Sequence, residues 1–260
     1  MRKLRVSWLL AAWISVVLGA FLPGHAVADD LSFLSFESRE MIPFNLAFKQ
    51  YIAAYKSSKE LDQDKGTRAI AKAIEEFSAL VSKAEKVGAN DAVVGRMTAA
   101  KGLLVQAQGL IRQGRGEEGK ELSIPIRSEL YELHRMLGLL SAEDAMIMFH
   151  NGLMHRAEPL IEQGRYAELE MLMPRVEKNV AQFKTPPKGV GNPEQYAQTY
   201  AVLLKSLAQY KEAVRQLNDY VEPEYGAFML KTNIGNAHSG AHSVFGKLYL
   251  SFPEGVGWKK

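Results

Sequence analysis

Apolar residues recur at helical spacing along most of the chain. Between residues 67 and 86, for example, positions three or four apart are occupied by Ile70, Ile74, Phe77, Leu80 and Val81. Residues at this spacing lie on one face of an α-helix. The same pattern predicts helices over about residues 43–60, 67–86, 90–113, 117–139, 141–164, 166–183 and 194–221. We therefore predict an all-α protein.

Several predicted helix ends contain residues that satisfy free backbone groups. Asn90 precedes the third helix, where its side chain can accept from an amide of the first turn. Gly114 suits the left-handed position that follows a helix end. Residues 141–144, SAED, have the S-x-x-D form of a capping box. Pro125 and Pro159 are predicted to restart or bend their helices.

One segment of the sequence occurs twice. GLLVQAQGLIRQGR, residues 102–115, returns fifty positions later as GLMHRAEPLIEQGR, residues 152–165, with eight of fourteen residues identical. Each copy ends at a Gly-Arg corner and a returning helix follows, so the repeat covers about residues 97–137 and 147–183. Because one hairpin cannot bury its apolar face alone, we predict antiparallel helical hairpins in a bundle or a short repeat array.

This layout is similar to that of the tetratricopeptide family. The pieces EQGRYAELE and AQYKEAVRQL resemble the opening of that family's second helix. The offset of fifty residues departs from the family's repeat of about 34, and its Trp-Leu-Gly pattern is missing. The chain is therefore not assigned to the family.

Amino-acid composition distinguishes three further segments of the chain. Residues 185–193, TPPKGVGNP, contain three prolines and two glycines, which predicts a linker between a helical domain over 29–184 and a further helical segment over 194–221. Residues 222–260 combine scattered glycines with aromatic residues. We predict an irregular C-terminal tail there.

The first 28 residues are predicted to be a cleaved signal peptide. The start, MRKLR, is basic, residues 6–22 are almost entirely apolar, and Ala26-Val27-Ala28 provides the small residues of a cleavage site. The apolar run is at the short end of what spans a bilayer. We expect export to the periplasm, with no stable membrane insertion after cleavage.

Cleavage changes the charge balance. The full chain has 32 basic and 29 acidic residues, but Arg2, Lys3 and Arg5 leave with the signal, so 29 of each remain. This neutral balance gives no indication of a nucleic-acid partner. The chain has no cysteine, which excludes disulfides, thiolate metal sites and covalent c-type haem.

Histidine and methionine are concentrated around the turn near Ser141. The candidate metal ligands there are His134, Met136, Met146, Met148, His150 and Met154, with His155 just beyond. In a hairpin about this turn, His134 would lie level with Met148 or His150, and Met136 level with Met146. At 100° per residue His150 faces inward, whereas His155 points roughly opposite.

These residues allow two interpretations. Imidazole and thioether ligands favour copper, particularly Cu(I), or a b-type haem iron held between helices. The alternative is that the methionines fill the core and His150 is a core histidine. A second candidate pair, His238 and His242, has the i, i+4 spacing of a metal site if residues 235–250 are helical. The glycines of that segment disfavour a helix.

Two further groups of residues, the arginines of the repeated corners and the C-terminal tyrosines, are candidates for binding contacts. Arg115 and Arg165 recur at equivalent corners, where they either stabilise a helix end or bind an anion such as a carboxylate. Tyrosine is favoured at interfaces. A contact surface is therefore predicted for the C-terminal tyrosines, which are Tyr196, Tyr200, Tyr210, Tyr220 and Tyr225.

The usual catalytic signatures, such as G-x-S-x-G, H-E-x-x-H and the phosphate-binding loop, are missing from the sequence. We therefore predict a periplasmic binding or assembly factor that acts through contacts with an envelope protein and is non-catalytic. The alternative is a periplasmic copper- or haem-binding protein that uses the His/Met cluster. A weaker alternative is a hydrolase or lyase in which His150 works with an acid from the neighbouring repeat. The oligomeric state is left open.

Overall fold

The computed structural model describes residues 31–55, 63–218 and 224–256. These residues form helices and turns, with no β-strand among them, which confirms the prediction of an all-α protein. The predicted signal peptide, residues 1–28, lies outside the described residues. None of the described helices is long and apolar enough to cross a membrane.

Ten α-helices are found in the described part of the chain: α1 (Met41–Ala54), α2 (Gln63–Lys86), α3 (Asp91–Arg112), α4 (Gly116–Glu121), α5 (Ser123–Leu137), α6 (Ala142–Ile147), α7 (His155–Glu162), α8 (Tyr166–Ala181), α9 (Pro193–Asn218) and α10 (Glu224–Leu250). A 3-10 turn, Ser32–Leu34, precedes α1, and a π-helical segment, Met148–Met154, joins α6 to α7. Helices that follow one another pack together, and α10 also packs against α7 and the π-helical segment.

The predicted apolar stripes form the core. In α2, Ile70, Phe77 and Leu80 are buried, and in α9 Leu203 and Leu207 are buried. The largest apolar side chains with almost no exposure are Phe36, Phe44, Phe48, Phe77, Phe149, Phe183, Phe245 and Phe252. Burial of such side chains stabilises the fold by roughly 1.5–3 kcal/mol each relative to exposure.

The predicted caps are present. The Asn90 side chain accepts a hydrogen bond from the amide of Val93. Ser141 and Asp144 form both bonds of a capping box at the start of α6. At the repeated corners, Gly114 adopts a φ of 78° and Gly164 a φ of 69°, a conformation that glycine adopts without steric cost.

The prediction of an irregular C-terminal tail is wrong, because residues 224–250 form helix α10. Glycines within this helix cost about 1 kcal/mol each relative to alanine. Packing outweighs that cost, since Ile234, Ala241, Phe245 and Leu248 recur at helical spacing and are buried. Tertiary contacts therefore override the local propensity of this segment.

The predicted tyrosine contact surface is also wrong where the structure describes these side chains. Tyr196, Tyr200 and Tyr210 are buried. The hydroxyls of Tyr196 and Tyr200 donate to the backbone carbonyls of Phe183 and Val180, at 2.6 and 3.2 Å. These bonds attach α9 to the C-terminal end of α8. Tyr220 and the side chain of Tyr225 lie outside the described residues.

A buried ion pair connects α1 to α6. The Lys49 ammonium lies 2.6 Å from a carboxylate oxygen of Glu143, and both side chains are inaccessible to solvent. The Asn45 amide donates to the other carboxylate oxygen at 2.7 Å, and the Lys49 ammonium sits over the rings of Tyr249 and Phe252. Burial lowers the pKa of Lys49 and raises that of Glu143, and their contact opposes both shifts. Each charge therefore needs its partner.

We expect Lys49→Met to lower the free energy of unfolding by about 3–5 kcal/mol, because it leaves a buried carboxylate without a counter-charge. Urea denaturation followed by circular dichroism measures the change. The double variant Lys49→Met/Glu143→Leu should recover most of the loss, since an apolar pair needs no counter-charge. Lys211→Met, which breaks an exposed pair with Glu177, should cost less than about 1 kcal/mol. Equal losses in the two single variants would contradict the assignment.

Candidate metal centre

The π-helical segment, Met148–Met154, sets the direction of two histidines. The amide of His155 donates to the carbonyl of His150, five residues earlier, which is the bond that defines a π-helix. In an α-helix, five positions would turn the side chain by about 140°. In the π-helical segment the two residues instead lie nearly above one another, and their ring centroids are 4.6 Å apart. The prediction that His155 points away from His150 is wrong for this reason.

A third histidine comes from the C-terminal helix. His242, on α10, places its Nε2 atom 2.8 Å from Nε2 of His150. Each of His150, His155 and His242 offers a ring nitrogen within 4.8 Å of the other two. We call these residues the three-histidine cluster. His238 lies one helical turn before His242, with the two ring centroids 6.2 Å apart.

Hydrogen bonds at the outer nitrogens orient two of the rings. Nδ1 of His150 lies 2.7 Å from Oδ1 of Asn151. The Asn151 amide group donates to the carbonyl of Ile124 at 2.9 Å, so its oxygen is the acceptor for His150. This network assigns the proton of His150 to Nδ1 and leaves a lone pair on Nε2, on the side of the cluster.

His155 is oriented in the same way by a carboxylate. Its Nδ1 lies 3.0 Å from Oε2 of Glu158, while its Nε2 is buried and has no hydrogen-bond partner. Metal-binding histidines usually donate their outer N–H to such a carboxylate or carbonyl oxygen, which fixes the ring and makes the inner nitrogen a better ligand. The Glu158 contact therefore leaves Nε2 of His155 available as a ligand atom on the side of the other two histidines.

Two histidines of the cluster, His150 and His242, are neutral at pH 7. Burial lowers the pKa of His150 far below its usual range, and the nearby Arg127 charge adds to the shift. Burial also lowers the pKa of His242 to about 4, with smaller effects from His155 and His238. A metal ion binds the neutral form of imidazole, so neither His150 nor His242 needs to lose a proton at pH 7.

A cavity of about 360 Å³ adjoins the cluster. Its walls come from α1, α4, α5, α7, the π-helical segment and α10, and the polar lining includes His150, His155, His242, Arg127, Ser123, Ser239 and Ser243. The side chain of His155 is 28% exposed, so the cluster is reached from solvent. Phe245 stacks on the His150 ring with centroids 5.5 Å apart and connects the cavity wall to the apolar core.

The first predicted ligand set does not come together. The structure pairs His134 with Asp144 at 2.7 Å and Ser128 with Asn151 at 3.2 Å. The hairpin register is therefore shifted by at least one turn from the one that would place His134 level with His150. The His134 ring has a structural role, since Nδ1 contacts Asp144 and the ring forms a T-shaped contact with Phe36.

The predicted methionine ligands are elsewhere. Met136 is 41% exposed, whereas Met146 and Met154 are buried in the core. Met148 lines a separate small cavity with Gly152. None of the described methionines lines the cavity beside the three histidines. The second predicted pair contributes His242 to the cluster, and its segment is helical as that hypothesis required.

The repeated arginines bind carboxylates of the chain itself. Arg115 donates from Nε and Nη2 to the two oxygens of Glu118, at 2.7 and 2.5 Å. Arg165 makes the same two bonds to Glu168, both at 2.6 Å. All four side chains are about half exposed. The predicted anion contact of these arginines is thus an internal ion pair at each corner.

Comparisons with known proteins provide no relative for this chain. No protein-family model matches it, and no similar curated protein or solved structure was found.

We expect His242→Asn to reduce the pH dependence of stability of the metal-free protein. The folded-state pKa of His242 is about 4, below the value of about 6.5 expected for unfolded histidine. Between these values the unfolded chain binds a proton that the folded chain does not, so stability falls as pH drops from 6.5 to 4. Urea denaturation in EDTA at pH 7 and pH 4.5 should show the wild type losing roughly 2 kcal/mol more than the variant. An equal loss in both proteins would show that His242 is not held neutral by the fold.

Proposed function

We propose that this is an exported protein that binds one transition-metal ion through His150, His155 and His242. The observation that carries the proposal is the approach of three imidazoles to within 4.8 Å, with the outer nitrogens of His150 and His155 bonded. Three protein ligands leave a further coordination position for water or another ligand, as in open zinc sites. That position faces a cavity reached from solvent.

The three imidazole ligands limit which metal ions can bind. Three neutral imidazoles suit Zn²⁺, Cu²⁺, Ni²⁺ or Fe²⁺ better than hard ions such as Mg²⁺ or Ca²⁺. Tetrahedral ligation at 2.0–2.1 Å separates two ligand nitrogens by about 3.3 Å. The Nε2 atoms of His150 and His242 are 2.8 Å apart, about half an ångström closer than this separation, whereas the cluster as a whole spans up to 4.8 Å, so binding requires His155 to move toward the other two rings.

Two narrower forms of the metal hypothesis have less support. Thioether ligation, which would favour Cu(I), has no methionine at the cavity. A b-type haem bound between His150 and His242 would need its flat ring system between two nitrogens that are 2.8 Å apart. The three-histidine cluster therefore fits a single ion.

The first hypothesis, an assembly factor acting through an envelope partner, rests on the export signal, the repeat and the lack of catalytic signatures. Of the tyrosines predicted to form its contact surface, Tyr196, Tyr200 and Tyr210 are buried. The hydrolase or lyase alternative depended on His150 and an acid. Glu158 is the acid nearest to the cluster, but its contact with His155 Nδ1 suits a supporting role. Export is supported by the basic and apolar N-terminal sequence.

We expect purified protein, stripped with EDTA and titrated with Zn²⁺, to bind one ion per chain. His150→Asn and His155→Asn each remove Nε2 and keep a donor in place of Nδ1, so the bonds to Asn151 and Glu158 survive. Each variant should weaken Zn²⁺ binding by more than about 100-fold, since outer-shell changes alone cost 10–100-fold. Calorimetric titration measures the affinity, and elemental analysis the stoichiometry.

His134→Asn is the matched control, because His134 is a buried histidine bonded to a carboxylate outside the cluster. It should keep one zinc per chain, although its stability will fall. Binding that is unchanged in His150→Asn and His155→Asn, or no binding by the wild type after loading with Zn²⁺ or Cu²⁺, would overturn the proposal.

A further inference from the structure

Arg127 is a buried cation in the wall of the cavity, and only 5% of the residue is exposed. A buried guanidinium is costly unless a negative charge accompanies it. Among the described residues, no carboxylate lies within ion-pair distance of Arg127, and its electrostatic neighbours Glu121 and Glu143 act from further away. Glu143 is already paired with Lys49. The positive charge of Arg127 is therefore not neutralised by a direct partner.

The hydrogen-bonding capacity of Arg127 is also incompletely used. A guanidinium has five N–H donors. Nε donates to the carbonyl of Ser123 at 3.1 Å and Nη2 to its hydroxyl at 3.3 Å. Tyr249 provides one more hydrogen bond. These contacts use three of the five donors, and a guanidinium with spare donors can bind a carboxylate ligand.

The other charges of the lining do not supply the missing anion. Glu158 contacts His155 at 3.0 Å and lies 3.6 Å from His238. Glu121 is exposed at the rim, as part of the same lining that contains Lys120. These two acids balance Lys120 and Arg127 only until a divalent ion binds to three neutral histidines. A loaded site therefore carries an excess of two positive charges, which favours an anionic ligand.

We propose that the cavity binds a small carboxylate, with one carboxylate group on Arg127 and an oxygen at the open position of the metal ion. This inference rests on the proposed metal site. The volume of about 360 Å³ is at the lower end of the range for small-molecule pockets, so the ligand is a compact molecule of a few carbons. Ser123, Ser239 and Ser243 add hydroxyls for its remaining polar atoms. A dicarboxylate such as succinate is the natural probe, because it can satisfy the metal ion and Arg127 together.

The experiment is a calorimetric titration of zinc-loaded protein with succinate at fixed ionic strength. We expect saturable binding to the wild type and a loss of roughly 10- to 100-fold in affinity in Arg127→Met, the usual effect of losing a charged hydrogen-bond donor. Arg127→Lys keeps the charge without the planar fork and should fall between the two. Arg115→Met, at an exposed corner outside the cavity, is the matched control and should bind like the wild type.

Zinc stoichiometry is measured in every variant, which separates the carboxylate proposal from the metal site. One zinc per chain with no succinate binding by the wild type would overturn the carboxylate proposal alone. Equal succinate affinity in the wild type and Arg127→Met would overturn the role of Arg127. Tighter binding of inorganic phosphate than of succinate would overturn the ligand class. If Arg127→Met fails to load zinc, the succinate affinities of the wild type and Arg127→Lys decide the role of Arg127.

Succinate binding is also measured for the metal-free proteins. Binding by the wild type that is lost in Arg127→Met would support the Arg127 contact even where zinc does not bind.

Discussion

The candidate site depends on the backbone hydrogen bonds of the π-helical segment, one of which runs from the amide of His155 to the carbonyl of His150. This bond widens one helical turn between α6 and α7. It thereby brings the side chains of His150 and His155, five positions apart, onto one side of the helix. A regular α-helix would leave only one of them facing α10. Because π-helical turns are uncommon and often occur at functional sites, the presence of one at this pair of histidines supports the proposal of a metal site there.

Burial sets the protonation state of two of the candidate ligands, His150 and His242. The π-helical segment packs between α5 and α10, and the loss of water keeps His150 and His242 neutral. Asn151 and Glu158 hold the outer nitrogens. The same low-dielectric region contains the Lys49–Glu143 pair and the Arg127 guanidinium. Lys49 and Glu143 compensate each other directly, whereas Arg127, in the wall of the cavity, has no carboxylate of the described residues within ion-pair distance. We interpret this imbalance as a feature of ligand binding.

Much of the fold could be predicted from sequence because its signals are local. The stripe of α2, the Asn90 cap and the Ser141–Asp144 capping box each depend on residues within a few positions of one another. Helix α10 was not predictable in this way. Its glycines reduce the intrinsic helix propensity, and the packing that compensates comes mainly from α9, with further contacts from α7 and the π-helical segment.

The site was only partly predictable for the same physical reason. The sequence predicts His150 and His242 as candidate metal ligands, but in separate sets, because no local pattern indicates that α10 lies against the π-helical segment. His155 was placed on the wrong side because the projection assumed 100° per residue throughout. A sequence signal did exist, namely that four of the six histidines occur in two closely spaced pairs, His150 with His155 and His238 with His242. Arg127 has no such signal, because its lack of a counter-charge is a property of the folded interior.

The most direct test of this account exchanges two neighbouring side chains in the double variant Met154→His/His155→Met. In an α-helical register, residue 154 would share a face with His150, whereas in the π-helical register residue 155 does. Zinc affinity is measured for both proteins by calorimetry, with folding verified by circular dichroism. The account predicts that the wild type binds one zinc ion and that the folded exchange variant binds at least about 100-fold more weakly. Equal or tighter binding by the exchange variant would contradict it.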